Sequence, residues 1–193
     1  MSGAEMRFRD AVDPAVAREY REAGWWGDVT LVDHLRRHCT ERGDQLAYVS
    51  DRGTLTWVEL DRASDRVASV VCSLGIQPGE RAAMLLPDSG TVHAVMLGLE
   101  KAGVVNVGLG ARAGVREIAH LLTTTDATTL IVADHHRDLS PDELRTRLTE
   151  LGVTLERVVQ VPALEEDLEA AFTVDGEHVD DGPAPDIDGR RIR

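Results

Sequence analysis

Residues 55–86 read LTWVELDRASDRVASVVCSLGIQPGERAAMLL, and they contain the signals that decide the fold. Thr56 and Glu59 form the S/T-x-x-E pattern of a capping box, in which two side chains satisfy backbone N–H groups at the start of a helix. Apolar residues then recur at helical spacing, and Gly75 suits the left-handed position just after a helix end. The pattern predicts a helix over residues 57–74.

The second half of this stretch predicts a tight turn followed by a buried strand. Pro78 and Gly79 fit the two central positions of a type II turn. Residues 81–86 follow as a short run that is apolar after its first residue. Such a run is typical of a strand that is covered on both faces, as in a parallel sheet.

Helix and strand signals alternate along the chain after this point. One predicted helix starts near Pro87-Asp88-Ser89 and ends at Gly103, the next starts near Val115, and a third follows the capping box Ser140–Glu143. The predicted strands cover residues 104–107, 128–132 and 157–161. The alternation predicts an α/β fold, a partial doubly wound and mostly parallel sheet with flanking helices and right-handed crossovers.

The chain divides into three parts. Residues 1–29 form an N-terminal extension, residues 30–172 the α/β unit, and residues 173–193 an acidic linker or tail. The α/β unit opens with a predicted helix over residues 30–40 and a hairpin whose turn is Asp51-Arg52-Gly53. Ten acidic residues and no Lys or Arg lie between Glu165 and Asp188, which we interpret as a solvated surface rather than an interaction tail.

Composition excludes several classes of function. The net charge of −13 argues against nucleic acid and anionic membranes, which both attract basic patches. No apolar run approaches the ~18 residues of a membrane span, and the first ten residues do not resemble a secretory signal. Cys39 and Cys72 form neither a C-x-x-C pair nor a zinc spacing, so we expect a reduced, cytoplasmic setting.

A glycine loop, residues 108–114, lies between a predicted strand and a predicted helix, where dinucleotide-binding loops occur. Its spacing is G-x-G-x-x-x-G, one residue longer than the dinucleotide fingerprint. Asp126 lies at the distance expected for a ribose-binding acid, but it falls in a predicted turn. We therefore predict a structural turn, with nucleotide binding as the alternative.

Two histidine pairs are candidate ligands. His34 and His38 lie at i and i+4 on a predicted helix, as zinc ligands can, but the glutamate of H-E-x-x-H is missing and two arginines lie between them. We predict a surface pair there. His135 and His136 follow a strand end, where open α/β sheets bind ligands. A solvated loop is the favoured interpretation, with ligand contact as the alternative.

The adjacent Trp25 and Trp26 are predicted to pack against the body of the protein. A substrate platform is the alternative, although no polar or catalytic neighbour supports it. No G-x-S-x-G or Walker-type loop occurs in the sequence, and no carboxylate pair has an evident role.

Four segments, in chain order, resemble the adenylate-forming enzymes, the family of the AMP-dependent acyl-CoA synthetases. The segments are LTWVEL (55–60), GIQPGERAAMLLPD (75–88), LEKAGVV (99–105) and REIAHLL (116–122). They resemble the family elements L-T-Y-x-E-L, G-v-x-x-G-D-r-V-a-x-x-L-P-N, L-x-K-A-G-a-v and E-l-x-x-l-L. The resemblance spans about residues 30–161. The chain departs from the family at Gly108-Leu109-Gly110, where relatives carry Asp or Asn and Pro. Residues 20–26 are similar to branches that activate aryl or cyclic acids.

The resemblance implies a two-step reaction. A carboxylate attacks the α-phosphate of ATP to give an acyl-adenylate and pyrophosphate, and the thiol of coenzyme A then displaces AMP, with Mg²⁺ offsetting the phosphate charge. Family members hold the phosphates on a Ser/Thr/Gly-rich loop that ends in Pro-Lys-Gly, bind the ribose through an aspartate and use a lysine of a small C-terminal domain. None of these elements is in this sequence, whose single lysine, Lys101, falls in the L-x-K-A-G-like segment.

The resemblance therefore assigns no catalytic, cofactor-binding or metal residue to this chain. It assigns structural roles, to Thr56 and Glu59 as caps and to Gly75, Pro78, Gly79 and Gly103 as turns. We expect the N-terminal portion of a carboxylate–CoA ligase, truncated before the phosphate loop, inactive alone and without a cofactor of its own.

The expected parent enzyme uses ATP, Mg²⁺ and coenzyme A with an aryl, cyclic or fatty acid, and the expected partner of this chain is the remainder of the ligase domain. Two alternatives stay open. One is a free-standing Rossmann-like nucleotide-binding module that uses the glycine loop. The other is a non-catalytic partner of a separately encoded remainder.

Overall fold

A six-stranded sheet with helices on both faces organises residues 13–179, the part of the chain that this computed structural model describes. The helices are α1 (Pro14–Glu22), α2 (Leu31–Arg42), α3 (Trp57–Ser73), α4 (Gly90–Ala102), α5 (Val115–Thr125) and α6 (Pro141–Glu150). The strands are β1 (Leu46–Val49), β2 (Thr54–Thr56), β3 (Arg81–Leu85), β4 (Val105–Gly108), β5 (Thr129–Val132), β6 (Arg157–Gln160), β7 (Phe172–Val174) and β8 (Glu177–Val179).

The order of strands in the main sheet is β4-β3-β5-β6-β7-β8. The first four are parallel, and β7 and β8 add an antiparallel hairpin beside β6. Strands β1 and β2 form a separate two-stranded antiparallel hairpin. The predicted α/β class, with a mostly parallel sheet, is confirmed.

The central strands bury both of their faces, which explains why residues 82–86 are apolar without interruption. Ala82 and Met84 face one apolar layer, which contains buried residues of α2, α3 and α4. Ala83 and Leu85 face the other, which is built on α5 and α6. Two covered faces leave no polar position between Ala82 and Leu85, as expected for parallel strands.

Local sequence signals set the ends of α3 as predicted. The Thr56 hydroxyl accepts from the Glu59 N–H at 3.2 Å, and Glu59 Oε2 accepts from the Thr56 N–H at 2.8 Å. At the other end Gly75 has φ +74°, and the N–H groups of Gly75 and Ile76 donate to the last carbonyls of the helix. Gly79, with φ +87°, completes the predicted type II turn.

Two more capping boxes start α6 and α2. The Ser140–Glu143 box is confirmed. The Thr30–Asp33 box was not predicted, because its acid is Asp rather than Glu. Asp33 Oδ2 accepts from the Thr30 N–H at 2.9 Å, so the shorter side chain still closes the box.

The prediction of a linker from residue 173 onward is wrong for residues 173–179, which form most of the β7–β8 hairpin. Phe172 and Val174 are buried against the core, and Asp175-Gly176 makes the turn between the two strands. The Asp175 carboxylate also accepts from the Val158 N–H at 3.0 Å. The prediction gave weight to the acidic composition. It overlooked the Asp-Gly pair, which is a typical hairpin turn when residues of alternating character flank it. The rest of the predicted tail, residues 180–193, lies outside the described residues, as do residues 1–12 of the predicted extension.

The two adjacent tryptophans do not pack into the body, contrary to the prediction. The side chains of Trp25 and Trp26 remain 70% and 39% exposed, and each contacts the ring of Tyr20 at a centroid distance of 5.2 Å. None of the residues of α1 is buried against the described part of the chain. The three aromatic rings therefore form a small surface cluster.

Candidate functional site

A cleft of about 190 Å³ opens where β3 and β5 end, and we call it the strand-end cleft. Its walls are Leu85, Leu86 and Pro87 after β3, residues 133–137 after β5, Ala111 of the glycine loop, and Arg52 at the tip of the β1–β2 hairpin. After β3 the chain turns into α4 on one face of the sheet, and after β5 into α6 on the other. Such a divergence at the carboxyl ends of neighbouring strands is where open α/β sheets bind ligands.

Basic side chains outnumber acidic ones around the strand-end cleft. Arg52, His135 and Arg137 line it, with Asp134 as the acidic neighbour. His135 Nδ1 lies 2.8 Å from Asp134 Oδ1, and the His135 side chain is 63% exposed. Guanidinium and imidazole groups on an open cleft suit the recognition of an anion such as a carboxylate or a phosphate.

The backbone after β5 is held in one conformation by contacts with the glycine loop. His136 is buried, and its Nε2 lies 2.8 Å from the carbonyl oxygen of Ala113. Arg137 has φ +54°, and its guanidinium donates to the carbonyl of Arg112. The prediction of a solvated loop therefore holds for His135. It is wrong for His136, which connects the loop after β5 to the glycine loop.

The glycine loop forms a tight turn, in which the Ala113 N–H donates to the Gly110 carbonyl at 2.8 Å, and the absence of nucleotide binding there stays a prediction. The glycines themselves are not explained by the described residues. None of Gly108, Gly110 and Gly114 has a positive φ. A Cβ on any of the three would meet no atom within 4 Å. The fold of residues 13–179 therefore requires glycine at none of these positions.

The His34–His38 pair on α2 has partners other than a metal. His34 Nδ1 lies 3.0 Å from the guanidinium of Arg37, and both ring nitrogens of His38 lie within 3.0 Å of Arg42. Partial burial, and then the Arg42 guanidinium, lower the pKa of His38. The predicted surface pair is confirmed. Among residues 13–179 there is no group of three or more His, Cys, Asp or Glu side chains that could hold a metal ion.

Lys101, the single lysine of the sequence, is fully engaged inside the fold. Its Nζ donates to Asp61 Oδ1 at 2.6 Å, to Asp65 Oδ1 at 2.7 Å and to the Asp61 carbonyl at 3.1 Å. Three donors and three acceptors leave the ammonium group no capacity for a substrate. Lys101 therefore joins α4 to α3 and does not belong to the strand-end cleft.

The environment of Cys39 does not activate its thiol. The Cys39 thiol contacts the Trp57 carbonyl oxygen at 3.2 Å, and burial raises the pKa of Cys39, which makes it a poor nucleophile. No helix within residues 13–179 combines the length and the apolar character that crossing a bilayer requires.

Comparisons with known proteins agree with the fold and with the motifs. A family model described as AMP-binding enzyme matches residues 35–189. Salicyl-AMP ligase / salicyl-S-ArCP synthetase of Mycobacterium tuberculosis is 36% identical over 125 residues, which are 61% of this chain and 22% of that protein.

Two solved structures share the architecture. The apo structure of MbtA from Mycobacterium smegmatis matches 90% of this chain and 33% of its own, with 31% identity and a TM-score of 0.65. A benzoate CoA ligase from Burkholderia xenovorans matches 71% of this chain and 27% of its own, with 24% identity and a TM-score of 0.61, a likeness of fold alone. The chain thus spans a third or less of the length of these proteins.

Proposed function

Because the chain belongs to the AMP-binding enzyme family, we propose that it forms the N-terminal part of an ATP-dependent carboxylate–CoA ligase and that its strand-end cleft binds an anionic group of a cosubstrate. The observation that carries the proposal is the cleft itself. It lies at the ligand-bearing edge of the sheet, and two arginines, Arg52 and Arg137, line it together with the imidazole of His135. ATP, pyrophosphate and coenzyme A all carry phosphate groups that such side chains bind.

The proposed reaction joins a carboxylic acid to a thiol at the expense of ATP. The acid attacks the α-phosphate, pyrophosphate leaves, and the thiol then attacks the acyl carbon while AMP leaves. Mg²⁺ supplies charge neutralisation on the phosphates when it is bound. This chain contributes binding and orientation of an anionic group, and Lys101 is excluded from the chemistry because its three donors are already engaged.

The names of the relatives support an aromatic acid as the substrate. They leave two classes of acceptor for the acyl group to be tested. The relative from M. tuberculosis is named for salicyl-AMP and for a salicyl-S-ArCP product, whereas a protein of the same fold is titled a benzoate CoA ligase. We propose coenzyme A as the acceptor and an aryl or cyclic acid as the substrate, with fatty acids as a further class for the assay.

The cleft is tested first, in the chain itself. We expect millimolar coenzyme A, Mg²⁺–ATP or pyrophosphate to shift the NMR signals of Ala111 and His135 in the labelled chain. Arg137→Ala should weaken these shifts. Arg147→Ala, which removes an arginine of α6 away from the cleft, should leave them unchanged. An absence of shifts with all three ligands, or equal loss in both variants, would refute the assignment of the cleft.

The activity is tested in a chimera, in which this chain replaces the matching N-terminal part of the benzoate CoA ligase. We expect benzoate-dependent exchange of pyrophosphate into ATP and formation of benzoyl-CoA. Arg52→Ala in the chimera should then identify the ligand. Loss of exchange points to ATP, and loss of the thioester step alone points to coenzyme A. A folded chimera without exchange would count against the proposed role.

A further inference from the structure

Glu165 is a buried residue that binds the first turn of α4. The residue is 8% exposed. Its Oε2 accepts from the Thr91 N–H at 3.0 Å and from the Thr91 hydroxyl, and that hydroxyl accepts in turn from the Leu164 N–H at 2.8 Å. Residues 74 positions apart in sequence are thereby joined at the start of α4.

The carboxylate of Glu165 accepts hydrogen bonds at the start of α4, where the N-cap residue makes no capping bond of its own. Ser89 is the N-cap of α4, and its side chain makes no capping hydrogen bond. Free N–H groups and the helix dipole at this end favour a negative charge. Glu165 supplies it from the segment after β6, at the start of the helix that follows Leu86 and Pro87 of the strand-end cleft in sequence.

The backbone of Glu165 supports a second wall of the cleft, the tip of the β1–β2 hairpin. A Cβ on Gly53 would overlap the carbonyl oxygen of Glu165, so the hairpin tip rests directly on this peptide. The Ser50 N–H donates to the Gly53 carbonyl at 2.9 Å, and the Arg52 N–H donates to Ser50 Oγ at 3.1 Å. These contacts fix the backbone that carries Arg52.

We propose that Glu165 is a positioning residue that, through Thr91 and Gly53, fixes the start of α4, just after the Leu86-Pro87 wall, and the hairpin tip that carries Arg52, in the arrangement with which the strand-end cleft binds its anionic ligand. The ligand part of this inference rests on the proposed function. The positioning part rests on the contacts of Glu165 alone. Glu165, Thr91 and Gly53 are called the clasp below.

The surroundings of one Glu165 carboxylate oxygen allow a comparison of two substitutions that tests the clasp. Oε1 is buried and has no hydrogen-bond partner among the described residues. Glu165→Gln can therefore keep both bonds to Thr91 through its amide oxygen and place its NH₂ group where Oε1 was. Glu165→Ala loses both bonds and leaves the Thr91 N–H unpaired, which is the costlier change.

The clasp is measured first by amide hydrogen exchange. We expect Glu165→Ala and Thr91→Val to speed exchange at the first turn of α4 by about ten- to a hundredfold, the range for a lost buried hydrogen bond. Exchange at Arg52 should also become faster, because the backbone of residue 165 that Gly53 contacts is then less firmly anchored to Thr91. Glu165→Gln should restore most of the protection. Ser140→Ala is the control, since it removes a helix cap on the other face of the sheet, far from Glu165 in sequence. If Glu165→Ala speeds hydrogen exchange at Arg52 no more than Ser140→Ala does, the clasp is refuted.

The functional part is measured as coupling between Glu165 and Arg52, with pyrophosphate, Mg²⁺–ATP and coenzyme A as probes. Arg52→Ala should weaken binding of the responsive probe by about three- to fivefold. Glu165→Ala should weaken it similarly, and the double variant no further, because Glu165 acts through Arg52. Additive losses would show a merely structural residue and overturn the proposal.

Failure of the two proposals can be told apart. If the unmodified chain responds to no probe, the assignment of the cleft fails, while the exchange experiment still decides whether the clasp holds the hairpin. If Glu165→Ala does not fold, Thr91→Val and Thr91→Ser replace it. Serine keeps the hydroxyl, so Thr91→Ser should behave like the unmodified chain, and equal exchange at Arg52 in both Thr91 variants would refute the clasp.

Discussion

Removing the ammonium group of Lys101 should destabilise the protein far more than removing a surface cation. The Lys101 side chain is 2% exposed, while those of its partners Asp61 and Asp65 are 30% and 39% exposed. Lys101→Met keeps the apolar stem and removes only the charge with its three hydrogen bonds. We expect a loss of stability, not of catalysis, because the ammonium group is closed off from the cleft.

The magnitude follows from burial. A hydrogen bond to a charged group contributes about 1.5–3 kcal/mol, and breaking a fully buried pair costs about 3–5 kcal/mol. The two carboxylates can recover water because they are about a third exposed, which places Lys101→Met at about 3 kcal/mol, the lower end of that range. For a chain of this size the expected fall in Tm is about 6–12 °C.

The assay is chemical denaturation with a matched control on α3. Arg62 pairs with Glu169, and both side chains are more than half exposed. Arg62→Met removes one positive charge as Lys101→Met does, but it should cost less than about 1 kcal/mol. Equal destabilisation by the two variants would refute the buried-pair argument. An amine-reactive label gives a second check, since native Lys101 should stay unlabelled until the α3–α4 contact opens.

Three further predictions concern the helix cap, the reaction and the glycine loop. Thr56→Ala and Glu59→Ala should each cost about 0.5–2 kcal/mol in urea melts, and the double variant less than the sum, whereas strict additivity would contradict a shared box. Hydrogen bonds from Thr56 lower the pKa of Glu59, so this stability is complete above the unfolded pKa near ~4.3 and should be lost as pH falls through the lower folded pKa. The chain alone should form no acyl-adenylate, and pyrophosphate exchange above a no-enzyme control, with ATP and aryl, cyclic or fatty acids, would disprove this. Calorimetric titration with NAD, NADP, ATP and AMP should show no saturable heat at sub-millimolar concentration, while NAD binding abolished by Gly110→Val, a variant the open loop can accommodate, would favour the Rossmann-like module.

The strand-end cleft could be predicted only in part. His135 follows β5 in sequence, so its place at a ligand-bearing edge could be inferred from the α/β pattern. Arg52 and Arg137 were not singled out, because nothing in the sequence states that a hairpin tip and a loop 85 residues later share one cleft. The useful signal was positional, since residues just after strand ends of a doubly wound sheet converge at one edge.

Signals that act within a few residues were sufficient to predict most helices, strands and turns of this chain. Capping boxes, a left-handed glycine and a Pro-Gly turn depend on hydrogen bonds between neighbours in sequence, so Thr56, Gly75 and Gly79 could be assigned from the residues alone. The apolar run of residues 82–86 predicted the parallel sheet for a different reason, because burial on both faces excludes polar side chains.

Tertiary structure alone decided the roles of the residues whose partners are distant in sequence. The sequence placed Lys101 only in an L-x-K-A-G-like segment, and its structural role became evident from its donors on Asp61 and Asp65, about 40 positions earlier. Glu165 belongs by composition to an acidic surface, yet it caps α4 from 74 positions away. A buried charge is stable only where packing brings complementary groups to it, and that arrangement exists only once the sheet and its helices have assembled.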